Sequence, residues 1–576
     1  AGSLAGGFGL LPLLTAPGTW RLVVVLLALT SIAFAWRHAV VAAAAIALTF
    51  TLGPTAAWRH SGIGAGRAPA HDSPNAIREW QYRNRRALVW DADGRESSVA
   101  LIDQSDYAFV VNGKVDGSAR GDAGTQVMSG LVGAILHPHP SRALVIGLGT
   151  GSTAGWFGAI PSMERVDVVE LEPAVLRVAA ACAPVNRDVL HNAKVHIRIA
   201  DAREVLLATN QRYDLIFSEP SNPYRAGIAS LFTQEFYRAS AARLRPGGMF
   251  LQWVQAYDID SQTVRTIYAT LGSVFAHVGT WTTDSGDLLL LASQQPVAYD
   301  ANALRQRVQQ EPFRSAVTNA WRVESLEGFL GHFLARARGE DRPPVVGIDW
   351  NRYDAERATF AWLNALPSRP TAELQARHQA AVDYDNGRLG NVAAAWRANR
   401  WTPVNSGELA ALGESLSDAG DPAAARFAEV LRPLRPVDAD VIEARLAFRN
   451  NVAALTVPLL VRAFAAARSD PWPTVDLFGR ALDIATILSK QHAYALPLFR
   501  ALEKPFAAGQ WSDARRSDRA LIAIDLEGCG PHAAAALRAL EPWPPWESTM
   551  LKARADCLGA AKDYEEFKRS EPAPLQ

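Results

Sequence analysis

The chain has 576 residues, too many for a single hydrophobic core and enough for three or four units. Its 58 basic and 58 acidic residues cancel, so no global positive field recruits nucleic acid and no acidic excess marks a solvating tail. Cys182, Cys529 and Cys557 are widely spaced and odd in number, which supports neither a disulfide framework nor a zinc site and predicts a reduced, cytosol-facing body.

In chain order, residues 1–60 are expected to be transmembrane, the end of a truncated membrane domain, because the opening run AGSLAGGFGLLPLL reads as if begun inside a helix. RLVVVLLALTSIAFA, between Trp20 and Trp36, and AVVAAAAIALTFTLGPTAAW, closing at Trp58, each approach the roughly 20 apolar residues that span a bilayer. A membrane hairpin follows, with Trp and Arg as interface anchors. Arg59, Arg67 and Arg78 after the second run, against Arg37 in the turn, place the body on the cytoplasmic side of a bacterial inner membrane.

Residues 75–128 predict a small β region. RALVWDADG, SSVALID and YAFVVNGKV alternate in short apolar runs broken by Asp-Gly and Asn-Gly pairs, which are hairpin signals. The helix MSGLVGAILHPHP, introduced by Gln126, ends at prolines, and its His137 and His139 suit a turn better than a metal. Residues 129–300 then read as a doubly wound series: ALVIGLG, RVDVVEL, VHIRIA and YDLIFSE are strands separated by helices, which indicates a parallel sheet covered on both faces. GGMFLQWVQ and DLLLLAS add later strands. Residues 301–369 read as a helical linker, and 370–576 as helical, either a tetratricopeptide-like solenoid or an irregular bundle, with no strict 34-residue period.

The chemistry concentrates at strand ends. Gly147, Gly149 and Gly151, in LVIGLGTGST, lie between a strand and a helix, where glycines let the backbone pass close to a ligand and leave helix N-terminal amides facing it. Glu170, ending the next strand, can accept from both ribose hydroxyls, which by itself still permits a dinucleotide. Asp201, at the end of the third strand, resembles the adenine-amine contact of S-adenosyl-binding folds. Glu172 reads as a solvated neighbour or helix-start acid.

The stretch DLIFSEPSNPYRAGIASLFTQEFY, together with NGKVDG, the Gln126 helix, HPHP and RPGG, resembles the spermidine synthase family over about residues 96–293. LQWVQAYDID and SGDLLLLAS look closer to its membrane-fused branch. The resemblance implies an α/β, Rossmann-like S-adenosylmethionine-dependent transferase fold preceded by the small β region, with N-terminal transmembrane helices and a C-terminal all-helical region. It implies an aminopropyltransferase that uses decarboxylated S-adenosylmethionine or S-adenosylmethionine as co-substrate, without a prosthetic group or metal, and releases methylthioadenosine. Glu219 is then the catalytic carboxylate, and Gln126 holds the donor's amino end. Asn222, Tyr257 and Gln255 line the acceptor side, and Trp253 belongs to the core.

Two departures from the family pattern stand out. Glu219 and Asn222 replace an aspartate pair in a DSSDP-like loop, and Thr125 replaces a tyrosine. An ammonium acceptor needs closely spaced carboxylates, so canonical putrescine specificity is in doubt. The alternatives are cyclisation or cleavage of S-adenosylmethionine itself, methyl transfer, or a non-enzymatic membrane-tethered scaffold. The expected partners are a small amine or self-cyclising substrate, the membrane, a protein bound by the helical tail, and a second copy, since soluble relatives are commonly dimers.

Overall fold

The computed structural model describes residues 5–50, 59–61, 71–103, 105–224, 227–283, 286–336, 342–360 and 366–570. Near the N-terminus, the helix Leu11–Phe34 contains an apolar window, Pro17–Phe34, long enough to cross a bilayer by length and composition, a test that a signal sequence also passes. The second expected span is not matched. After Trp36–His38 the chain forms only the ten-residue helix Ala39–Leu48, too short to span, and residues 51–58 lie outside the described part.

Where the sequence suggested that the β region opens near residue 77, the chain instead forms a helix, Pro74–Ala87. Ser73 caps it by accepting from Ala76 N at 3.2 Å, and Pro74 sits in its first turn, where no amide hydrogen is needed. Four antiparallel strands follow: β1 (Leu88–Asp93), β2 (Ser98–Asp103), β3 (Tyr107–Val111) and β4 (Lys114–Ser118). Asn112 and Gly113 both take positive φ, as a tight hairpin turn requires.

The helix Ala123–Leu136 is buried along its whole length and leads into an eight-stranded sheet. β5 (Arg142–Ile146), β6 (Arg165–Glu170), β7 (Val195–Ile199), β8 (Tyr213–Ser218) and β9 (Leu244–Gln255) pair in parallel in the order β9-β8-β5-β6-β7. β10 (His277–Thr282), β11 (Asp287–Ser293) and β12 (Phe333–Arg336) extend the β9 edge in antiparallel fashion, so the sheet is mixed rather than wholly parallel. Alternate residues of β5 feed two cores: Ala143 and Val145 face one, Leu144 and Ile146 the other.

Residues 301–360 do not behave as a linker. Leu304, Val308, Phe313, Phe329, Phe333 and Tyr353 belong to the same core as the sheet. Beyond them, helices pack in successive pairs that begin at Ala372, Ser406, Pro436, Val475, Ser512 and Ser548, each pair resting on the next. The uneven intervals explain why no strict period is visible in the sequence.

The cysteine reading is corrected. Cys529, just past the helix Ser512–Glu527, and Cys557, near the end of Ser548–Leu558, form a disulfide with Cα atoms 4.8 Å apart. The odd count misled because Cys182 is a separate buried thiol in the core beside the eight-stranded sheet, its pKa pushed up to about 12 by burial. Disulfides persist in oxidising compartments, so this bond opposes the expected reduced, cytosol-facing body.

The helical tail is tied to the front of the chain. Trp511 N donates to Ser105 O at 2.9 Å, Arg322 Nη1 donates to Thr474 Oγ1 at 3.1 Å, and Ala508 is packed into the same core as the sheet. Arg86, its side chain only 4% exposed, donates to Asp513 Oδ1 (2.9 Å), Glu79 Oε1 (2.9 Å) and the Trp543 carbonyl (3.2 Å). Arg86→Ala leaves these acceptors unanswered and should cost about 3 kcal/mol, seen as a lower denaturant midpoint and faster proteolysis of the tail.

Candidate active site

The glycine turn follows from strand geometry. Gly147 follows β5 at φ +94°, and a Cβ there would stand 2.8 Å from the Glu219 carbonyl, because the chain leaving the neighbouring parallel strand β8 passes close by. Gly149 and Gly151 also take positive φ, and the helix Ser152–Ala159 starts directly behind them.

Glu170 sits at the end of β6 and binds the turn: Leu148 N donates to Oε2 at 2.8 Å and Glu172 N to Oε1 at 2.9 Å. Burial pushes its pKa up against these amides. Each oxygen keeps a lone pair for a further donor such as a ribose hydroxyl. Asp201 caps the helix Ala202–Ala208 through Arg203 N and is gripped by the Arg203 guanidinium, which together hold its pKa down, the guanidinium first.

Gly147, Gly149, Glu170 and Asp201 open onto one cavity of about 660 Å³, shared with Gln126, Glu219, Asn222, Trp253 and Tyr257, whereas Gly151 is not on its wall. Gln126 is buried, and its Oε1 accepts from the Thr150 hydroxyl in the glycine turn. Asn222 is fully buried, and among the described residues neither atom of its amide has a hydrogen-bond partner. Tyr257 stands at the mouth, 37% exposed. Trp253 is both core and wall, buried yet lining the cavity.

Glu219 follows β8 and faces the cavity while enclosed by protein. Burial, then Asp287, then Asp122 raise its pKa to about 8, offset only by the Thr153 hydroxyl at 3.4 Å. A carboxyl poised near neutrality in a cleft suits proton transfer.

Two expectations change at this site, and the expectation for His137 holds. Gln255 is buried but does not line the cavity; its Nε2 donates to the carbonyls of Tyr257 (3.0 Å) and Asp258 (3.4 Å), holding the turn that presents Tyr257. Glu172 is not solvated: 5% exposed, it accepts from Glu96 N, Ser97 N and Ala174 N, pinning the β1–β2 loop over the sheet edge. His137 serves its turn, Nδ1 accepting from His139 N at 3.2 Å.

Asp287 and Asp122 were not singled out in the sequence. Asp287 opens β11, opposite Gln255 in register, and the Thr125 hydroxyl donates to its Oδ2 at 2.6 Å. Burial raises its pKa to about 6. The one available signal was an acid at the first position of an otherwise apolar strand, DLLLLAS.

Fold and site together define a Rossmann-like α/β domain with a desolvated acid at its sheet edge. Residues 124–283 match the family model described as a Spermine/spermidine synthase domain, and the chain thus carries a domain of the spermidine synthase family. Polyamine aminopropyltransferase of Nitrosomonas europaea is 33% identical over 146 residues, 25% of this chain and 45% of that protein. Putrescine N-methyltransferase 2 of Nicotiana attenuata is 30% identical over 139 residues, 24% of this chain and 37% of that one. The solved spermidine synthase from Thermotoga maritima aligns at 20% identity with a TM-score of 0.34, over 39% of this chain and 79% of that structure. The chain spans about half the length of the curated relatives it matches first.

Proposed function

We propose that this domain transfers an aminopropyl group from decarboxylated S-adenosylmethionine to a primary amine. The observation that carries the reading is the desolvated Glu219 carboxyl beside a cradle formed by the glycine turn, Glu170 and Asp201 in one cavity. Glu170 would take the ribose hydroxyls, Asp201 the adenine amine, and Gln126 the donor's amino end.

In the proposed step the amine lone pair attacks the propyl carbon bound to sulfur. The new C–N bond forms as the C–S bond breaks, its electron pair passes to sulfur, and neutral methylthioadenosine leaves. Glu219 takes the proton from the attacking nitrogen and returns it to solvent. Because the leaving thioether is neutral, alignment and deprotonation dominate over charge stabilisation.

The pH dependence follows from the acid. Glu219 must be ionised to act, so kcat/KM should rise with pH through about 8. A bound sulfonium favours the carboxylate, so the corresponding limb of kcat should lie at lower pH, and the residual activity of Glu219→Gln should lack it. Initial rates between pH 6 and 9.5 check this; the same limb in the variant would remove Glu219 from the chemistry.

The deciding assay incubates the protein with decarboxylated S-adenosylmethionine or S-adenosylmethionine, with and without polyamines, and identifies the nucleoside by mass spectrometry. Methylthioadenosine formed only with an amine present is the expected result. Its release from S-adenosylmethionine alone would mean cyclisation or cleavage, and its absence from every mixture would defeat alkyl transfer. Methyl transfer is the second reading, favoured by the match to a putrescine N-methyltransferase, and S-adenosylhomocysteine is its product. The helix Leu11–Phe34 would tether the protein to a membrane, and the helical tail would offer a surface to a protein partner.

A further inference from the structure

Most carboxylates on the cavity wall are already answered. Glu170 and Glu172 accept backbone amides, Asp122 accepts from Ser118 N, Asp201 is paired with Arg203, and Asp116 with Lys114. Glu219 and Asp287 differ. Each accepts from a neutral donor, the Thr153 hydroxyl for one and the Thr125 hydroxyl for the other; Lys114 reaches Asp287 only through its charge at longer range, and among the described residues neither makes an ion pair. Asp287 Oδ1 accepts no well-formed hydrogen bond. Beside it on the wall, the fully buried Asn222 amide has no partner for either of its atoms among the described residues. Buried polar groups left open in this way cost free energy unless a ligand completes them.

The placement of Asp287 is rigid. It begins β11 and lies opposite Gln255, whose amide holds the Tyr257 turn, while Thr125 is itself fixed by the Thr283 hydroxyl at 2.9 Å. Thr125 and Asn222 are two of the positions where the sequence departs from the family pattern. At one of them a carboxylate is lost; at the other a hydroxyl appears that aims a carboxylate from a different strand.

We propose that Asp287 is the anionic anchor of the acceptor site, aimed by Thr125 and binding the ammonium group of a diamine in place of the charge that Asn222 lacks. This rests on the aminopropyl-transfer reading. Charge matching then divides the labour. One nitrogen of the acceptor gives its proton to Glu219 and attacks; the other stays an ammonium against Asp287. An acceptor with a single amine has nothing to offer Asp287, so the site selects diamines over monoamines.

Calorimetric titration of putrescine and of n-butylamine into the full chain saturated with methylthioadenosine tests the assignment. The native protein should bind putrescine more tightly than butylamine. Asp287→Asn should weaken putrescine by at least about 30-fold, the effect of removing one partner from a buried charged pair, with butylamine and methylthioadenosine affinities unchanged. Asp287→Glu should recover part of the loss. Thr125→Val, which keeps the carboxylate and removes the bond that aims it, should weaken putrescine alone by a smaller factor. Putrescine binding to Asp287→Asn within about threefold of native, or an equal loss of butylamine, would overturn the anchor while leaving aminopropyl transfer standing. A native protein that binds methylthioadenosine but neither amine would instead overturn the aminopropyl-transfer reading itself.

Discussion

Glu219→Gln protein should bind methylthioadenosine as the native protein does and turn over at least about 100-fold more slowly, the usual effect of removing a positioned acid-base group. The substitution keeps the shape of the side chain and its place after β8, so Glu170 and Asp201, the proposed nucleoside contacts, are untouched. A second signature concerns stability. The folded protein holds the Glu219 proton up to about pH 8, whereas an unfolded chain releases it near the ordinary value of 4.5. Between those limits the native state binds more protons, so stability declines as pH rises through the window. Glutamine has no proton to lose. The variant should therefore melt higher than the native protein at pH 8.5, by a margin that shrinks toward pH 5. Melting curves with the same offset at both pH values would show that Glu219 is not desolvated in the fold.

The second large effect is expected at Gly155, in the helix that follows the glycine turn. A Cβ at this position would lie 1.7 Å from the Asn186 carbonyl oxygen, a backbone atom that no rotamer change can move aside. Asn186 is fully buried, and its amide donates to the Thr150 and Ala179 carbonyls, both at 2.7 Å. Gly155→Ala must push that segment away, at a cost toward the upper end of the roughly 1–3 kcal/mol typical of overpacking. The same displacement pulls on Thr150, the turn residue whose hydroxyl meets Gln126. Nucleoside affinity should fall with stability, by roughly 10- to 100-fold if the turn moves by about an ångström. Thermal melts and methylthioadenosine titration measure the two losses. A variant that melts as the native protein does would mean that the helix and the Asn186 segment separate more easily than their packing implies.

The parallel half of the sheet was legible because its strands are buried on both faces, and VDVVEL and YDLIFSE are near-continuous apolar runs bounded by helices. The antiparallel edge was not. HVGTWT is short and follows its helix without a turn signal, and FLAR is a strand only because β10 pairs with it. The helix Pro74–Ala87 was read through because its apolar residues are few and its partners lie hundreds of residues away. At the site, residues carried by motifs share one cavity wall: Gly147, Gly149, Glu170, Asp201, Glu219 and Asn222. What escaped depends on tertiary register. Asp287 reaches Thr125 only because β11 pairs with β9, and Gln255 turns to its own loop instead of the cavity. The disulfide escaped for the same reason, since cysteine spacing carries no information on which helices lie side by side.

The ties from Arg86 to Asp513, from Arg322 to Thr474 and from Trp511 to Ser105 join the first described elements of the body to its last helices. A boundary drawn near residue 370 therefore does not mark a thermodynamic seam. The α/β domain and the helix pairs behind it should lose structure in one cooperative melting event, and protection of amide hydrogens in β3 should depend on residues about four hundred positions downstream.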